Sequence, residues 1–266
     1  MRISVVQMNS QNDKPANLAR AEELVRSAAA EERPDLVILP EYFAHLSDDP
    51  AEMHASGEEI PGGETCRRFS RLAAELEITL HCGSIVERSN GEFFNTSIVF
   101  GPDGSEIARY RKIHLFDVET PNGVRYRESD QVGRGREIVT YRAGGRVVGA
   151  AICYDLRFAE LFRALRDRGA EIIVLPAAFT LATGKDHWEV LIRARAIETQ
   201  TYFAAAAQIG THPRGKSCWG HSMIVDPWGS IVAQASDREG HATARCDFAY
   251  LQKVRDNLPV ATHHVL

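Results

Sequence analysis

Two stretches of this chain recur later in it, in the same order and at nearly equal separation. Asp35-Leu36-Val37-Ile38-Leu39-Pro40-Glu41-Tyr42-Phe43 is echoed by Glu171-Ile172-Ile173-Val174-Leu175-Pro176-Ala177-Ala178-Phe179. Ser97-Ile98-Val99-Phe100-Gly101-Pro102-Asp103-Gly104-Ser105 is echoed by Ser222-Met223-Ile224-Val225-Asp226-Pro227-Trp228-Gly229-Ser230. Chance can produce one such match; two in register point to two similar α/β halves. Leu36 to Leu39 and Ile172 to Leu175 are continuous apolar runs, as in strands covered on both faces. Two sheets packed face to face, with helices outside, supply that cover. No Pro/Gly/Ser-rich linker or low-complexity stretch parts the halves, so residues 1–266 are expected to form one domain with internal pseudo-symmetry.

The chain is long and apolar enough for a full core: 266 residues, 44% hydrophobic and 25% charged. A net charge of -5, with no run of like charge, argues against nucleic acid as a partner. Arg67, Arg68 and Arg71 read as a solvated helix face. Five widely spaced cysteines (Cys66, Cys82, Cys153, Cys218 and Cys246) form no disulfide framework. Cys218 and His221 are spaced like two metal ligands but lack a second pair, so no metal site is expected. Neither a signal-length nor a membrane-length apolar run occurs, and a cytoplasmic, reduced protein is expected.

Periodicity places the elements. Arg2 to Met8 reads as a strand. Asp13 and Pro15 open a helix with Leu18, Ala21, Leu24, Val25 and Ala28 on one stripe. Phe69, Leu72, Ala73 and Leu76 mark a second helix. Strands follow at Thr79 to Val86, Phe93 to Phe100 and Ile107 to Arg111; beyond Asp117 a polar loop is expected to about Gly135. Ile138 to Tyr141 pairs with Val147 to Cys153 across the Gly144-Gly145 turn. A helix from Trp188 to Thr199 carries Trp188, Leu191, Ile192 and Ala196 on its stripe, with Arg195 at the edge. Strands at Phe203 to Ala207, Met223 to Val225, Ile231 to Ala233 and Ala242 to Cys246, then a helix from Tyr250 to Asn257, complete the chain.

Three residues fall at or just past strand ends, where α/β folds gather their sites. Cys153 stands where an apolar strand gives way to the helical stripe Phe158, Leu161, Phe162, Leu165; the positive end of a helix there favours thiolate. From this stretch alone a buried core thiol is the more common reading. Glu41 follows Pro40, where the second half has Ala177, and a carboxylate just past a buried strand is costly unless paired or used. Lys112 ends an alternating strand. A nucleophilic Cys needs a base or a cation, and His114, His187 and His221 are also available, though no spacing singles one out.

Leu39-Pro40-Glu41, Tyr110-Arg111-Lys112-Ile113-His114-Leu115 and Ile152-Cys153-Tyr154-Asp155-Leu156-Arg157-Phe158 resemble the three signatures of the nitrilase superfamily of carbon–nitrogen hydrolases. The resemblance runs through Glu128-Ser129, Gly184 to Trp188, Arg193 to Glu198 and Gly220-His221-Ser222. It departs at Ala159, where the family usually has Pro. It implies a four-layer αββα sandwich, a homodimer or larger homo-oligomer, and a catalytic Glu41–Lys112–Cys153 triad. Glu41 would act as base, acid and base again; Lys112 would lower the thiol pKa and, with the Tyr154 backbone N–H, hold the oxyanion; Glu128 would support Lys112 and position substrate. Such chemistry needs no metal or organic cofactor.

Lys112 to Asp117 resembles the ω-amidase branch, whereas His187 to Leu191, Arg193 to Gln200 and Ala205 to Gln208 resemble deaminated-glutathione amidases. The implied reaction is hydrolysis of a small, carboxylate-bearing primary amide to acid and ammonia. Arg125, Arg127, Arg157 and Lys185 are candidate carboxylate ligands, with internal pairing, above all of Arg157 with Asp155 or Glu160, as the competing use. Other readings are a nitrilase or another carbon–nitrogen hydrolase acting on a neutral amide, nitrile or N-carbamoyl substrate, and a catalytically silent scaffold.

Overall fold

In the computed structural model, which describes residues 1–120 and 123–265, the first half runs β1 (Arg2–Gln7), α1 (Lys14–Glu32), β2 (Leu36–Ile38), α2 (Pro50–Ala55), α3 (Glu64–Leu76), β3 (Thr79–Ser89), β4 (Glu92–Phe100) and β5 (Glu106–Arg111). A small hairpin, β6 (Asp117–Glu119) and β7 (Arg125–Arg127), leads to β8 (Thr140–Ala143), β9 (Arg146–Ala150), α4 (Ala159–Asp167), β10 (Ile172–Ala177), α5 (Leu181–Thr199) and β11 (Tyr202–Ala207). After the hairpin β12 (Ile209–Thr211) and β13 (Ser217–Trp219) come β14 (Met223–Val225), β15 (Ile231–Gln234), β16 (Gly240–Arg245) and α6 (Phe248–Asn257).

Two six-stranded sheets result, in the orders β16-β1-β2-β3-β4-β5 and β8-β9-β10-β11-β14-β15. Taken in these orders they agree strand for strand in direction: antiparallel, parallel, parallel, antiparallel, antiparallel. The echoed segments occupy equivalent places, β2 with β10 and β4 with β14. The pseudo-two-fold legible in the sequence is therefore a property of the fold, and β16 ties the halves by completing the first sheet from the far end of the chain.

Both faces of each central strand are covered. Leu36 and Ile38 join the core that holds β10 and β11, while Val37 and Leu39 face Leu18, Val25, Phe69 and Leu72 of the outer helices. Burying each such side chain stabilises by about 1.5–3 kcal/mol. Ala204 to Ala207 carry no bulk, and here β1 touches β11 closely enough for Met8 N to donate to Ala207 O at 3.4 Å. On the second sheet α4 packs on β9 and α5 on β11. The layers are α, β, β, α.

Several boundaries differ from expectation. The helix expected from Trp188 starts at Leu181. Its first turns are polar and include Gly184, where a Cβ would lie 2.3 Å from Trp219 Cβ; the glycine lets β13 cross the helix. The loop expected after Asp117 contains the hairpin β6–β7, and residues 121–122 of it lie outside the described residues. Helix α2, capped by the Asp49 side chain with Pro50 in its first turn, and the hairpin β12–β13 were not legible from periodicity because both are too short. The strand expected from Ile138 begins at Thr140 and pairs Tyr141 with Val148. Among the described residues no helix is long and apolar enough to cross a membrane.

Candidate active site

Glu41 leaves the end of β2 through Leu39 and Pro40. The turn is possible because β3 bulges beside it: Gly83 has φ +35°, and a Cβ there would sit 1.9 Å from Pro40 O. The Glu41 side chain is buried, and three donors hold it. Oε1 accepts from Lys112 Nζ at 2.9 Å and Asn95 Nδ2 at 2.8 Å; Oε2 accepts from Ala178 N at 2.7 Å. Ala178 lies just beyond the position that echoes Glu41, so the second half supplies a backbone donor to the carboxylate of the first.

Lys112 continues the β4–β5 ladder through Lys112 N to Asn95 O. Its buried ammonium lies between two carboxylates, donating to Glu41 and to Glu128 Oε1 and Oε2 at 3.0 and 2.8 Å. Burial alone would push this lysine down in pKa, but the charges of Glu128 and then Glu41 outweigh it and hold the group well above the ordinary value. Glu128, in a 3-10 turn, also accepts from Phe116 N at 2.7 Å, Asn95 Nδ2 at 3.1 Å and the Tyr42 hydroxyl at 3.2 Å.

Cys153 lies at the carboxyl end of β9, next to β10, and its backbone takes φ 45°. A non-glycine residue in that region is strained, and such strain gathers at functional sites. The expectation that a helix start would favour the thiolate is not met. Cys153 heads a 3-10 turn, Cys153–Arg157, and the α-helix begins only at Ala159. Burial, then the Glu41 charge, pushes the thiol well up, against the opposing pull of Lys112. A buried thiol beside a carboxylate stays protonated until that carboxylate takes its proton.

Glu41, Lys112, Glu128 and Cys153 line one cavity of about 360 Å³, walled by the aromatic rings of Tyr42, Phe116, Tyr126, Tyr154 and Phe179. The volume suits a small ligand. Arg125 and Arg127 also line it, delivered by β7. Arg125 is exposed and pairs with Glu119 at 2.8 Å, whereas Arg127 lies across the β6–β7 hairpin from Asp117, whose carboxyl its charge helps hold below the ordinary range, and forms no salt bridge within 4.0 Å among the described residues. Lys185 is outside the cavity and pairs with the neighbouring Asp186 at 2.9 Å, which corrects its place among the candidates. Arg157 is also outside the lining; it stacks over Phe179 at 5.2 Å and donates to His187 Nδ1 at 3.3 Å. The competing use weighed for it, pairing with Asp155 or Glu160, does not form among the described residues; the Asp155 carboxylate is occupied elsewhere. Arg195, at the edge of the α5 stripe, is buried, and its guanidinium donates to Leu156 O and Glu198.

Sequence reasoning missed Asn95, Tyr42 and Lys216. Asn95 carried a signal: it opens the polar run Asn95-Thr96-Ser97 between apolar residues of β4, and all three are buried in the structure. Lys216 lines the cavity from the β12–β13 hairpin, pairs with Asp48 at 2.7 Å and lies 4.5 Å over the Tyr126 ring. Among the described residues no group of three or more His, Cys, Asp or Glu converges as a metal site, and His221 instead meets Trp219 O and Asp237.

The carbon–nitrogen hydrolase family model matches residues 2–256. The chain is 39% identical over 259 residues to the omega-amidase NIT2 of Xenopus tropicalis, across 97% of this chain and 93% of that one. It is 42% identical over 270 residues to the human deaminated glutathione amidase, across 98% of this chain and 81% of the relative. The crystal structure of the C. elegans NitFhit protein superposes with a TM-score of 0.91 at 38% identity, covering 99% of this chain; this chain spans 64% of NitFhit. A sandwich of two matched sheets, a carboxylate–ammonium–thiol cluster at their strand ends and these likenesses agree: the chain belongs to the carbon–nitrogen hydrolase family of the nitrilase superfamily, enzymes that act on carbon–nitrogen bonds.

Proposed function

We propose that the chain hydrolyses a small, carboxylate-bearing primary amide to acid and ammonia through a thioester on Cys153. The observation that carries this reading is the Lys112 ammonium held between Glu41 and Glu128 in the cavity that Cys153 lines. Glu41 takes the Sγ proton as sulfur attacks the amide carbonyl. Lys112 and the Tyr154 backbone N–H stabilise the oxyanion. The C–N bond breaks as Glu41 gives its proton to the departing nitrogen, leaving a thioester. Water, deprotonated by Glu41, attacks that carbonyl; the C–S bond breaks and the proton returns to sulfur. Glu128 keeps the Lys112 ammonium aimed and charged.

The likeness to an omega-amidase and to a deaminated glutathione amidase supports an ω-amide of a 2-oxo acid, or a deaminated glutathione, as substrate. Arg127 is the carboxylate ligand in this reading, because Lys112, Lys216 and Arg125 already meet carboxylates. We extend the reading to a homodimer through α5, whose Val190 and Ile197 are exposed at 65% and 49%, beside Trp228 at 58%. Five free thiols fit a reducing, cytoplasmic setting.

Ammonia release is measured across a panel of amides and nitriles, each acid-bearing amide beside its methyl ester, with Cys153→Ala as control. The expected result is turnover of amides over nitriles and of acids over esters. Equal turnover of the esters overturns the anionic substrate; preference for nitriles overturns amide hydrolysis. Light scattering that finds a monomer at micromolar concentration overturns the dimer.

A further inference from the structure

Asp155 is fully buried two residues after Cys153; it is not itself among the residues that line the cavity, and none of its hydrogen bonds goes to Lys112. Its carboxylate is saturated. Oδ2 accepts from Ile152 N at 2.9 Å and the Tyr110 hydroxyl at 2.7 Å. Oδ1 accepts from His114 N at 3.0 Å and His114 Nδ1 at 2.7 Å. Its own N–H returns a bond to Ile152 O at 3.0 Å. Two of these donors belong to the backbone on either side of the seam between the sheets. Ile152 immediately precedes Cys153 at the end of β9. His114 lies two residues past Lys112, beyond the end of β5. The His114 ring closes the arrangement by stacking on Phe158 with centroids 3.7 Å apart.

We propose that Asp155 is a positioning residue that fixes the Cys153 segment of one sheet to the Lys112 segment of the other, and so sets the nucleophile against its ammonium. The proposal rests on the roles given above to Cys153 and Lys112. Cys153 holds a left-handed backbone conformation that its own side chain does not favour, so something outside it must hold it there. The tether from Ile152 N to Asp155 is next to that strained residue. A carboxylate suits the task better than an amide, since both of its oxygens accept and all four donors can be met at once.

That difference gives the test. In Asp155→Asn one oxygen becomes an NH2 group. The Tyr110 hydroxyl and the His114 ring can each exchange donor for acceptor, but a backbone N–H cannot. In either amide orientation, Ile152 N or His114 N faces a donor and its tether is lost. Tyr110→Phe is the matched comparison: it also loses a buried hydrogen bond to the same carboxylate, yet leaves both backbone tethers.

Two readouts are taken on the full chain, with folding checked by circular dichroism and urea denaturation. The first is kcat and KM for succinamate. The second is the rate of Cys153 alkylation by iodoacetamide, followed by intact mass; it needs no substrate and so stands even if amide hydrolysis does not. Asp155→Asn is expected to lower kcat by about ten- to a hundredfold with KM within about threefold, the scale of a misplacement near 1 Å, and to slow alkylation in parallel. Tyr110→Phe is expected to keep both rates within about threefold, though less stable. A folded Asp155→Asn protein with ordinary kcat and alkylation overturns the proposal, as does an equal fall in Tyr110→Phe. Should Asp155→Asn not fold, Asp155→Ser, which leaves room for a water, takes its place; if neither folds, Asp155 is a purely structural residue and the proposal fails.

Discussion

Replacing Lys112 by Met removes a buried charge while keeping most of its bulk, and the structure allows both consequences to be sized. Lys112 Nζ makes three contacts, one to Glu41 at 2.9 Å and two to Glu128 at 3.0 and 2.8 Å. Without it the two carboxylates face each other across Asn95 Nδ2, which bonds both. Removing one partner of a buried pair costs about 3–5 kcal/mol, because the remaining charge stays desolvated. That is a large fraction of a total stability of about 5–15 kcal/mol, so turnover is compared only in protein that circular dichroism shows to be folded. For the chemistry, the oxyanion loses its charged donor, which costs about a hundred- to a thousandfold in kcat. Urea denaturation gives the first quantity and ammonia release from succinamate the second. A kcat within tenfold of the parent, in protein with an unchanged urea midpoint, would show that Lys112 neither bridges the carboxylates nor serves the oxyanion.

Cys153→Ala should abolish turnover, and mass spectrometry of a slow-substrate reaction should find the acyl adduct on the peptide with Cys153; an adduct on Cys66, Cys82, Cys218 or Cys246 would refute its role. His81 is buried with Nδ1 on the Tyr141 hydroxyl at 3.0 Å, and burial pushes its pKa down to about 3. The neutral ring therefore stabilises fully above its unfolded pKa of 6.5, and this contribution is lost at about 1.4 kcal/mol per pH unit as the pH falls from there towards about 3. The stability gap between the parent and His81→Asn should narrow from about pH 7 to about pH 4.5 on that account; a constant gap in urea midpoints sinks the argument. Gly184→Ala should destabilise by about 1–3 kcal/mol, because its methyl group has no room against Trp219; an unchanged melting temperature would count against the close crossing of β13 and α5.

The order of the layers is legible in the sequence, because burial on two faces writes itself as an unbroken apolar run. Leu36 to Leu39 and Ile172 to Leu175 carry that signal, and their echo locates two equivalent strands in two sheets of matching direction. Glu41, Lys112 and Cys153 could be noted because each stands at or just past a strand end, where α/β folds gather their sites, but it was their likeness to the three nitrilase-superfamily signatures that joined them as one set. Spacing along the chain says nothing of what lies across a gap, so the partners were another matter. That Glu128 stands by Lys112 was expected from the family resemblance and not from spacing, whereas that Ala178 N reaches Glu41 and that Lys216 meets Asp48 depends on how distant segments pack together. The same holds for charge. A helix start argued for a thiolate at Cys153, but burial and the nearby Glu41 keep it a thiol, since desolvation is a property of the assembled core and not of a local motif. Local sequence determined which segments are strands and which ends carry reactive groups; only the packing of one sheet on the other decided which groups touch, and therefore which of them hold their charge.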